Sequence, residues 1–513
     1  MPDPEQKISV FSTVSEGRWV LISMIMASSM AFIDGSALNI ALPAIQKGLQ
    51  ATGSQLLWVV NSYALILAAL ILVGGALGDL FGRRKIMLWG ISIFTISSFI
   101  CALSPTILTL IFARGLQGIG AAMMIPGSLS ILSATFQGQE RGKAIGIWST
   151  AGSVMAIAGP VLGGLFAASG LWRCIFLINL PIGIAACWII RSRVPESRNM
   201  DGLTRRKIDY SGSMLISLGL GLLTYGFTEW AHEGFTSVVK VYVLGGIFFL
   251  IAFIVNEARV HSPMMPLTSF RSATFTGANL LTFFLYGALA SAIFFVSLNL
   301  VQIQGYSTFK TGFAFLAFPV PIILFSRQAG RLASKYGAKW LLVIGPAITG
   351  LGFLRLSLVG LTTGPSAYWT TFFPGMILFG LGMSLTVVPL TNSVMTALPD
   401  ELSGTASGIN NAVSRIASVL ALAIIGSVAI IAFQQRIIGN THSLLLPEQV
   451  KMELKTESHK LAAARPPDDT PASLKVAVSV ALKTAFTDTF SLVMQICAGM
   501  AFLSACTALL LIK

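Results

Sequence analysis

Two charged side chains of opposite sign, Asp34 and Arg114, stand well inside long apolar runs in the first quarter of the chain. A carboxylate inside hydrocarbon costs several kcal/mol unless it is paired or protonated, so it is rarely found there without a function. If the two side chains face one another, a proton on Asp34 would release Arg114, and loss of that proton would restore the ion pair. The alternative is structural: Asp34 would bond a neighbouring helix, and Arg114 would hold backbone carbonyls.

The composition limits where such a pair can act. Of 513 residues, 54% are hydrophobic and 11% are charged, with a mean hydropathy of +0.79. Soluble domains have about 25% charged residues, so the chain is expected to be a polytopic membrane protein. Its five cysteines and four histidines show neither metal-ligand spacing nor a disulfide framework. Because the sequence has no Gly-rich loop ending in Lys-Ser or Lys-Thr, ATP is not expected as the energy source, and no cofactor is expected.

Fourteen apolar runs are long enough to cross a bilayer, which takes about 20 residues each. They cover 19–43, 55–79, 86–104, 106–131, 141–168, 171–191, 210–229, 240–257, 272–301, 310–330, 338–360, 368–397, 403–433 and 486–512. The polar segment 434–484 before the last run is expected to be an external loop. Within it, 447–461 could form a surface helix, and the whole could be either a small ordered flap or a mobile loop.

The distribution of cations predicts the orientation. Loops after even-numbered runs hold sixteen Lys and Arg residues, and the short loops after odd-numbered runs hold four. Cytoplasmic loops are enriched in Lys and Arg, so both termini are expected in the cytoplasm. This topology accounts for the net charge of +14, and nucleic-acid binding is therefore not expected. The N-terminus does not have the pattern of a cleaved signal peptide, so the first run is expected to remain as a membrane helix.

The orientation also predicts the depth of the two charged residues. Asp34 precedes the outer end of the first run, near Pro43, by nine residues, and Arg114 follows the outer start of the fourth run, near Thr106, by eight. At 1.5 Å per residue, both lie roughly 12–14 Å below the outer surface. We therefore expect them at matching depths.

A cluster of glycines and charges separates the second and third runs. The stretch 75–85 resembles the loop signature of the major facilitator superfamily, G-x-L-x-D-x-x-G-R-R-K, although Leu80 stands where a cation is common. We call its central residues the gate motif: Gly75, Asp79, Gly82, Arg83 and Arg84. The motif is expected to latch the cytoplasmic side against the second half when the outside is open; otherwise it is an ordinary polar turn.

An internal repeat supports the same resemblance. Three segments recur later in the chain at offsets of 255, 262 and 262 residues: 75–84 at 330–339, 118–120 at 380–382, and 142–146 at 404–408. The second copy of the gate motif has Ser334 in place of Asp79. Parallel repeats mark the halves of this superfamily. The predicted fold is thus a six-helix bundle (1–192), a linker with two inserted helices (193–271) and a second six-helix bundle (272–513).

Three further motifs resemble those of the fourteen-helix drug:proton antiporter family. Residues 33–43 are similar to L-D-x-T-x-x-N-x-A-L-P, residues 114–122 to R-x-x-Q-G-x-G-A-A, and residues 159–164 to G-P-x-x-G-G. The resemblance implies that Asp34 and Arg114 couple transport to protons. It also implies a hinge or seal against leak at the antiporter motif, which comprises Gly159, Pro160, Gly163 and Gly164.

The second half differs in its charges. Its runs contain Arg327, Arg355 and Arg415, but no deep carboxylate. Arg327 and Arg355 could reach an interface by snorkelling. Arg415 lies mid-run on one helical face with Asn411 and could line a cavity or bond carbonyls across the halves. The expected cavity residues are Asp34, Asn39, Gln117, Asn411 and Arg415. A basic second half argues against dications as the main cargo.

The predicted function is proton-driven export of hydrophobic or amphiphilic small molecules, such as drugs, by alternating access. The alternatives are a dedicated exporter of one metabolite or lipid, and a sensor that binds without transport; a membrane enzyme ranks lower. The expected location is the plasma (inner) membrane. The expected partners are the small-molecule substrate, protons and the lipid bilayer; the protein is expected to be a monomer, and a periplasmic adaptor stays open.

Overall fold

The computed structural model describes residues 14–136, 138–197, 209–260, 263–399, 402–442 and 444–512, and these ranges contain helices and loops but no strand. The first group of helices is α1 (Val14–Leu49), α2 (Gly53–Phe81), α3 (Arg83–Leu103), α4 (Ile107–Thr135), α5 (Gly138–Ala168), α6 (Cys174–Leu177) and α7 (Asn179–Arg193). An inserted pair follows, α8 (Tyr210–Glu233) and α9 (Ser237–Arg259). The last group is α10 (Ala273–Leu298), α11 (Thr308–Ala314), α12 (Pro319–Tyr336), α13 (Lys339–Ser357), α14 (Phe372–Thr396), α15 (Ser403–Thr441), α16 (Glu448–Ser458) and α17 (Ala472–Leu511).

Thirteen helical spans within the described residues are long and apolar enough to cross a membrane. Three of them are interrupted: α6 and α7 form one span, α10 continues into a π-helical turn, and α11 joins α12. The remaining predicted run, 210–229, forms α8, a helix of 24 residues that packs against α9. At 1.5 Å per residue, α8 is about 36 Å long, which is sufficient to span the hydrocarbon. The helical architecture therefore agrees with the predicted all-α membrane fold.

Hydroxyl side chains fix where several helices begin. Thr52 accepts a hydrogen bond from the backbone N–H of Gln55, and the Gln55 side chain accepts one from the backbone N–H of Thr52. This capping box satisfies two N–H groups that the first turn of a helix leaves unpaired. Single-residue caps start four other helices: Thr106 (α4), Thr236 (α9), Ser272 (α10) and Ser307 (α11).

The helices pack as two groups with an inserted pair. Helix α2 packs on α4 and α1 packs on α5 in the first group, whereas α13 packs on α14 and α17 in the second. Helices α8 and α9 pack on each other, and α8 also contacts α2 and α15. This grouping follows the predicted division of the chain, whose residue bounds stay a prediction.

The two groups meet at the helix ends that the sequence predicts to lie outside. There α2 packs on α15, with Leu57 against Gly426, and α5 packs on α11, where the Thr308 hydroxyl donates to the Gly164 carbonyl at 3.1 Å. The Ser297 hydroxyl of α10 also donates to the Asn39 carbonyl of α1 at 2.5 Å. At the opposite end, α12 and α14 border an open groove of about 650 Å³. The described state is thus closed at the predicted outer side.

The predicted external loop is wrong at both ends. Helix α15 continues to Thr441 and α17 begins at Ala472, so much of 434–484 belongs to long helices. The predicted surface helix is confirmed as α16, whose Val450 and Leu454 are buried. The error has a simple physical reason: polar and charged side chains interrupt the hydropathy where the helix itself continues. In α15 these are Gln434, Gln435 and Arg436, and in α17 they are Lys475 and Lys483.

Candidate functional site

Asp34 of α1 and Arg114 of α4 form a buried ion pair. The Arg114 Nη1 donates to Asp34 Oδ2 at 2.5 Å, and the side chains are 1% and 0% exposed. The spacing from Pro43 and Thr106 predicts matching depths for the two residues, and the structure shows that they also face one another. The charges compensate each other in a region where either charge alone would be costly.

A ring of polar groups completes this pair, which we call the coupling cluster (Asp34, Ser98, Arg114, Gln117). Gln117 accepts from Arg114 Nη1 at 2.6 Å and donates to Asp34 Oδ1 at 3.1 Å and to the Ser98 hydroxyl at 2.8 Å. The Arg114 Nε donates to the Val59 carbonyl at 3.3 Å, and its guanidinium lies 4.4 Å from the centre of the Tyr63 ring. Each carboxylate oxygen of Asp34 therefore has a donor.

The coupling cluster is suited to holding or releasing one proton. With Asp34 ionised, the arginine and the glutamine are both engaged. A proton on Asp34 would remove the acceptor charge and leave Arg114 bonded to Gln117 and the Val59 carbonyl. Because these bonds join α1 to α4, such a change would alter the contacts between the two helices.

The predicted cavity residues divide into two sets. Asp34 and Gln117 are fully buried, so in this state they do not line an open cavity. Asn39 is half-buried and donates to the Gly35 carbonyl of its own helix at 2.9 Å. Asn411 is exposed and Arg415 is half-buried. Only the last three residues are accessible in the outer-closed state, and the role of all five as cavity residues stays a prediction.

The gate motif forms its ion pair within one helix turn. Asp79 Oδ1 accepts from Arg83 Nε at 3.0 Å and from Arg83 Nη2 at 2.8 Å, and Arg83 Nη1 also donates to the Ser130 carbonyl of α4 at 3.4 Å. Gly82, between α2 and α3, has a φ of +107°, which favours glycine. Gly75 packs loosely, because an added Cβ would be 3.6 Å from Pro126. The tight contact is at Gly74, where a Cβ would overlap the Ala122 carbonyl.

Glu196, which sequence reasoning missed, caps the gate motif. Its two carboxylate oxygens accept from the backbone N–H groups of Arg84 and Lys85 at 3.0 and 3.1 Å. These are the first N–H groups of α3, where a negative charge is stabilised. A Cβ at Gly82 would be only 2.6 Å from the Glu196 carboxyl carbon. A capping residue 112 positions away has no local sequence signal.

The antiporter motif presents two faces to two different helices. A Cβ on Gly159 or Gly163 would overlap α1 at Ser36 or Ala37, so these glycines allow α5 and α1 to touch. Gly164 faces α11 instead, where an added Cβ would be 2.5 Å from the Thr308 carbonyl. Across the same contact, a Cβ on Gly312 would be 2.5 Å from the Pro160 carbonyl. The motif thus forms part of the outer closure between the two groups.

The arginines of the second half have different surroundings. Arg355 is half-buried and donates to the Thr370 carbonyl at 2.7 Å, in keeping with an interfacial position. Arg327 is exposed in the middle of α12, where it lines the open groove with Arg331 and Lys335. Arg415, in contrast, lies between the two groups, on the segment of α15 that packs on α2.

Known proteins resemble this chain over most of its length. The family model described as the Major Facilitator Superfamily matches residues 24–422. The multidrug resistance protein Stp of Mycobacterium tuberculosis is 35% identical over 410 residues, which cover 80% of this chain and 75% of Stp. The cephamycin export protein CmcT of Amycolatopsis lactamdurans is 32% identical over 418 residues, covering 81% of this chain and 85% of CmcT.

A similar fold occurs among solved structures. A bacterial homolog of the human lysosomal transporter Spinster, in an inward-facing and unoccupied conformation, superposes with a TM-score of 0.63. The match covers 97% of this chain and 98% of that chain at 17% identity. At this identity, the likeness concerns the fold alone.

Proposed function

The chain belongs to the Major Facilitator Superfamily, and we propose that it exports hydrophobic and amphiphilic small molecules, drugs among them, in exchange for protons by alternating access. The names of relatives such as Stp and CmcT support export of toxic or bioactive compounds. The observation that most supports proton exchange is the buried Asp34–Arg114 pair, since a membrane carboxylate held by a single cation is suited to reversible protonation.

In the proposed cycle, the outer-closed state takes up cargo from the cytoplasmic side. Opening to the outside requires α5 to leave α11 and α2 to leave the outer part of α15. Because these contacts are close packing at Gly164 and Gly426 and a hydroxyl-to-carbonyl hydrogen bond, they separate without breaking a buried charge pair. Cargo would leave outside, and protonation of Asp34 from that side would accompany the return.

The gate motif is proposed to act at the opposite end. With the outside open, the cytoplasmic ends of the two groups would approach, and Asp79 with its neighbouring arginines would latch onto the second half. In the described state, Asp79 is paired only with Arg83 of its own motif among the described residues. The pair is partly exposed and therefore weak, which leaves Asp79 able to exchange partners.

The proposed setting is the plasma (inner) membrane, with both termini in the cytoplasm and the chain acting as a monomer. The excess of cations in loops after even-numbered spans supports this orientation. The proton gradient would supply the energy without a cofactor, and a periplasmic adaptor is not required by the proposal.

Inverted membrane vesicles provide the test. A drug added to vesicles that hold a proton gradient should release protons when the native chain is present, as reported by a pH-sensitive dye. The Asp34→Asn variant should abolish that release, and Glu140→Gln, at an exposed cytoplasmic ion pair, should behave as the native chain. Unchanged proton-coupled efflux in Asp34→Asn would contradict the assignment. Failure to move any compound of a broad panel would favour a dedicated exporter or a sensor.

A further inference from the structure

Arg415 is a charged side chain at an interior position between the two groups. Its helix, α15, packs on α2 through Ile416, Val419 and Leu420, and meets it again at Gly426, where a Cβ would be 2.6 Å from Leu57. Arg415 precedes Gly426 by eleven residues and thus lies about 16 Å inward of that outer contact. Arg415 is thus the thirteenth of the 39 residues of α15, inward of the closed outer side.

Among the described residues, Arg415 has neither a hydrogen-bond partner nor an ion-pair partner. The salt bridges among the described residues all join other side chains. Arg114 of the coupling cluster, in contrast, bonds both Asp34 and Gln117. An arginine in a membrane interior normally bonds a carboxylate or carbonyls. The Arg415 side chain is half-buried, so it is desolvated in part and still reachable.

No carboxylate among the described residues lies within 4 Å of Arg415. Its charge acts on the hydroxyls of Tyr63 of α2 and Tyr286 of α10. One turn earlier on the same face of α15, Asn411 is exposed. Tyrosine and asparagine side chains can bind the uncharged parts of a ligand while leaving the guanidinium free for an anionic group.

A groove on the surface of α12 and α14 is also basic. The open groove of about 650 Å³ between α12 and α14 is lined by Arg327, Arg331, Lys335 and Asn392. Its three cations stand four residues apart, so they form one stripe along α12. No carboxylate among the described residues lies within 4 Å of them. A groove of this charge attracts anions and repels cations.

We propose that Arg415 is an anion subsite of the transport path, and that the cargo class is amphiphiles with one anionic group, such as a carboxylate. The inference rests on the proposed export function and deepens it. The guanidinium binds two carboxylate oxygens at once through its planar fork of donors. The apolar body of the amphiphile lies against the aromatic side chains, and the basic stripe on α12 raises the local concentration of the anion at the cytoplasmic entrance.

Three fluorescent ligands that differ only in charge test the subsite: pyrenebutyrate (anion), pyrenebutanol (neutral) and pyrenebutylamine (cation). Binding to the purified full chain in phosphatidylcholine nanodiscs is followed by fluorescence anisotropy, without any proton gradient. The native chain should bind pyrenebutyrate about tenfold or more tightly than pyrenebutanol, as expected for a hydrogen-bonded charge. Arg415→Gln should remove this preference but keep pyrenebutanol binding, which shows that the variant is folded. Arg415→Lys should keep part of it.

Arg355→Gln is the matched control, because Arg355 lies in the same half and, among the described residues, bonds only the Thr370 carbonyl. The ligand preference of this variant should equal that of the native chain. Equal affinity of the native chain for all three ligands, or a preference that survives in Arg415→Gln, would overturn the proposal. Nanodiscs with phosphatidylglycerol test a lipid headgroup as the source of the anion. If that lipid abolishes pyrenebutyrate binding to the native chain, the subsite belongs to lipid, and the cargo class is wrong.

These outcomes are separable from those of the export proposal. An Arg415-dependent preference together with absent proton-coupled efflux would leave the subsite intact and contradict export. Proton-coupled efflux that is equal for anionic, neutral and cationic pyrenes would support export and contradict the anion subsite.

Discussion

The two halves of the molecule differ in whether their cationic side chains are paired with an acid. In the first half, Arg114 is paired with Asp34 and bonded to Gln117, and Arg83 is paired with Asp79. In the second half, Arg415 has no partner among the described residues, and the stripe of cations on α12 is exposed. A compensated charge is suited to a switch that changes only when a proton arrives, whereas an uncompensated charge is suited to receiving a ligand. The comparison suggests that proton chemistry and cargo selection are divided between the halves.

The two halves share the glycine turn of the gate motif but not its acidic residue. Gly82 and its counterpart Gly337 both have positive φ angles, +107° and +84°. Ser334, which stands in the place of Asp79, donates only to the Gly330 carbonyl of its own helix, at 3.0 Å. A glycine turn is needed wherever two helices reverse direction this tightly, but an acid is needed only where a latch or a pair is formed.

The largest expected difference is in stability. Arg114→Gln leaves Asp34 buried without its cation, which should lower the free energy of unfolding by about 3–5 kcal/mol. Arg415→Gln breaks no ion pair and should leave stability unchanged or slightly raised. Thermal unfolding in detergent measures both, and the double variant Asp34→Asn with Arg114→Gln should recover part of the loss. Equal destabilisation by both arginine changes would show that Arg415 has a structural partner and would contradict the difference between the halves.

A second effect concerns the closure between the halves. Gly164→Ala introduces a methyl group 2.5 Å from the Thr308 carbonyl, and overpacking of this kind costs about 1–3 kcal/mol. The outer-closed state should therefore lose about tenfold or more of its population. Spin labels at the exposed outer positions Ser169 and Lys310 should then report longer distances. Gly146→Ala is the control on the same helix, since nothing lies within 4 Å of its Cβ; equal distance distributions for both variants would contradict the closure.

Glu196 tests how the first half holds its gate. Glu196→Ala removes the cap of α3 and should cost about 0.5–2 kcal/mol of stability. Glu140→Ala removes an equal charge that pairs with the exposed Lys143 side chain and should have a smaller effect on the unfolding temperature. If the two changes have the same effect, the contacts of Glu196 with Arg84 and Lys85 do not stabilise the turn.

The smallest effect on stability is expected at Asp79. Its pair with Arg83 is partly exposed, so Asp79→Asn should change the free energy of unfolding by less than about 1 kcal/mol. It should nevertheless slow transport while substrate binding persists, because the latch acts in the other state. Ser334→Ala, at the corresponding position of the second half, should affect neither property. Native turnover in Asp79→Asn would refute the latch.

Features that depend on position along a helix could be predicted from the sequence. Helix direction and rise per residue placed Asp34 and Arg114 at one depth, and they meet. The Gln117 and Ser98 contacts could not be predicted, because they depend on the rotation of α3 and α4 about their axes. Glu196 was missed because a loop that follows α7 docks on a turn far away in sequence. The ends of α15 and α17 could not be predicted, because a few polar and charged residues interrupt the hydropathy while the helices continue.

Gradient-driven transport and exchange, measured in the same proteoliposomes, test whether the Asp34–Arg114 pair couples transport to protons. For an amphiphile that the native chain exports, an imposed proton gradient should accelerate efflux above the rate of exchange measured without a gradient. With Asp34→Asn, exchange should persist, and its rate should be the same with and without the gradient. A gradient that still accelerates efflux through Asp34→Asn would contradict the claim that the buried Asp34–Arg114 pair couples transport to protons.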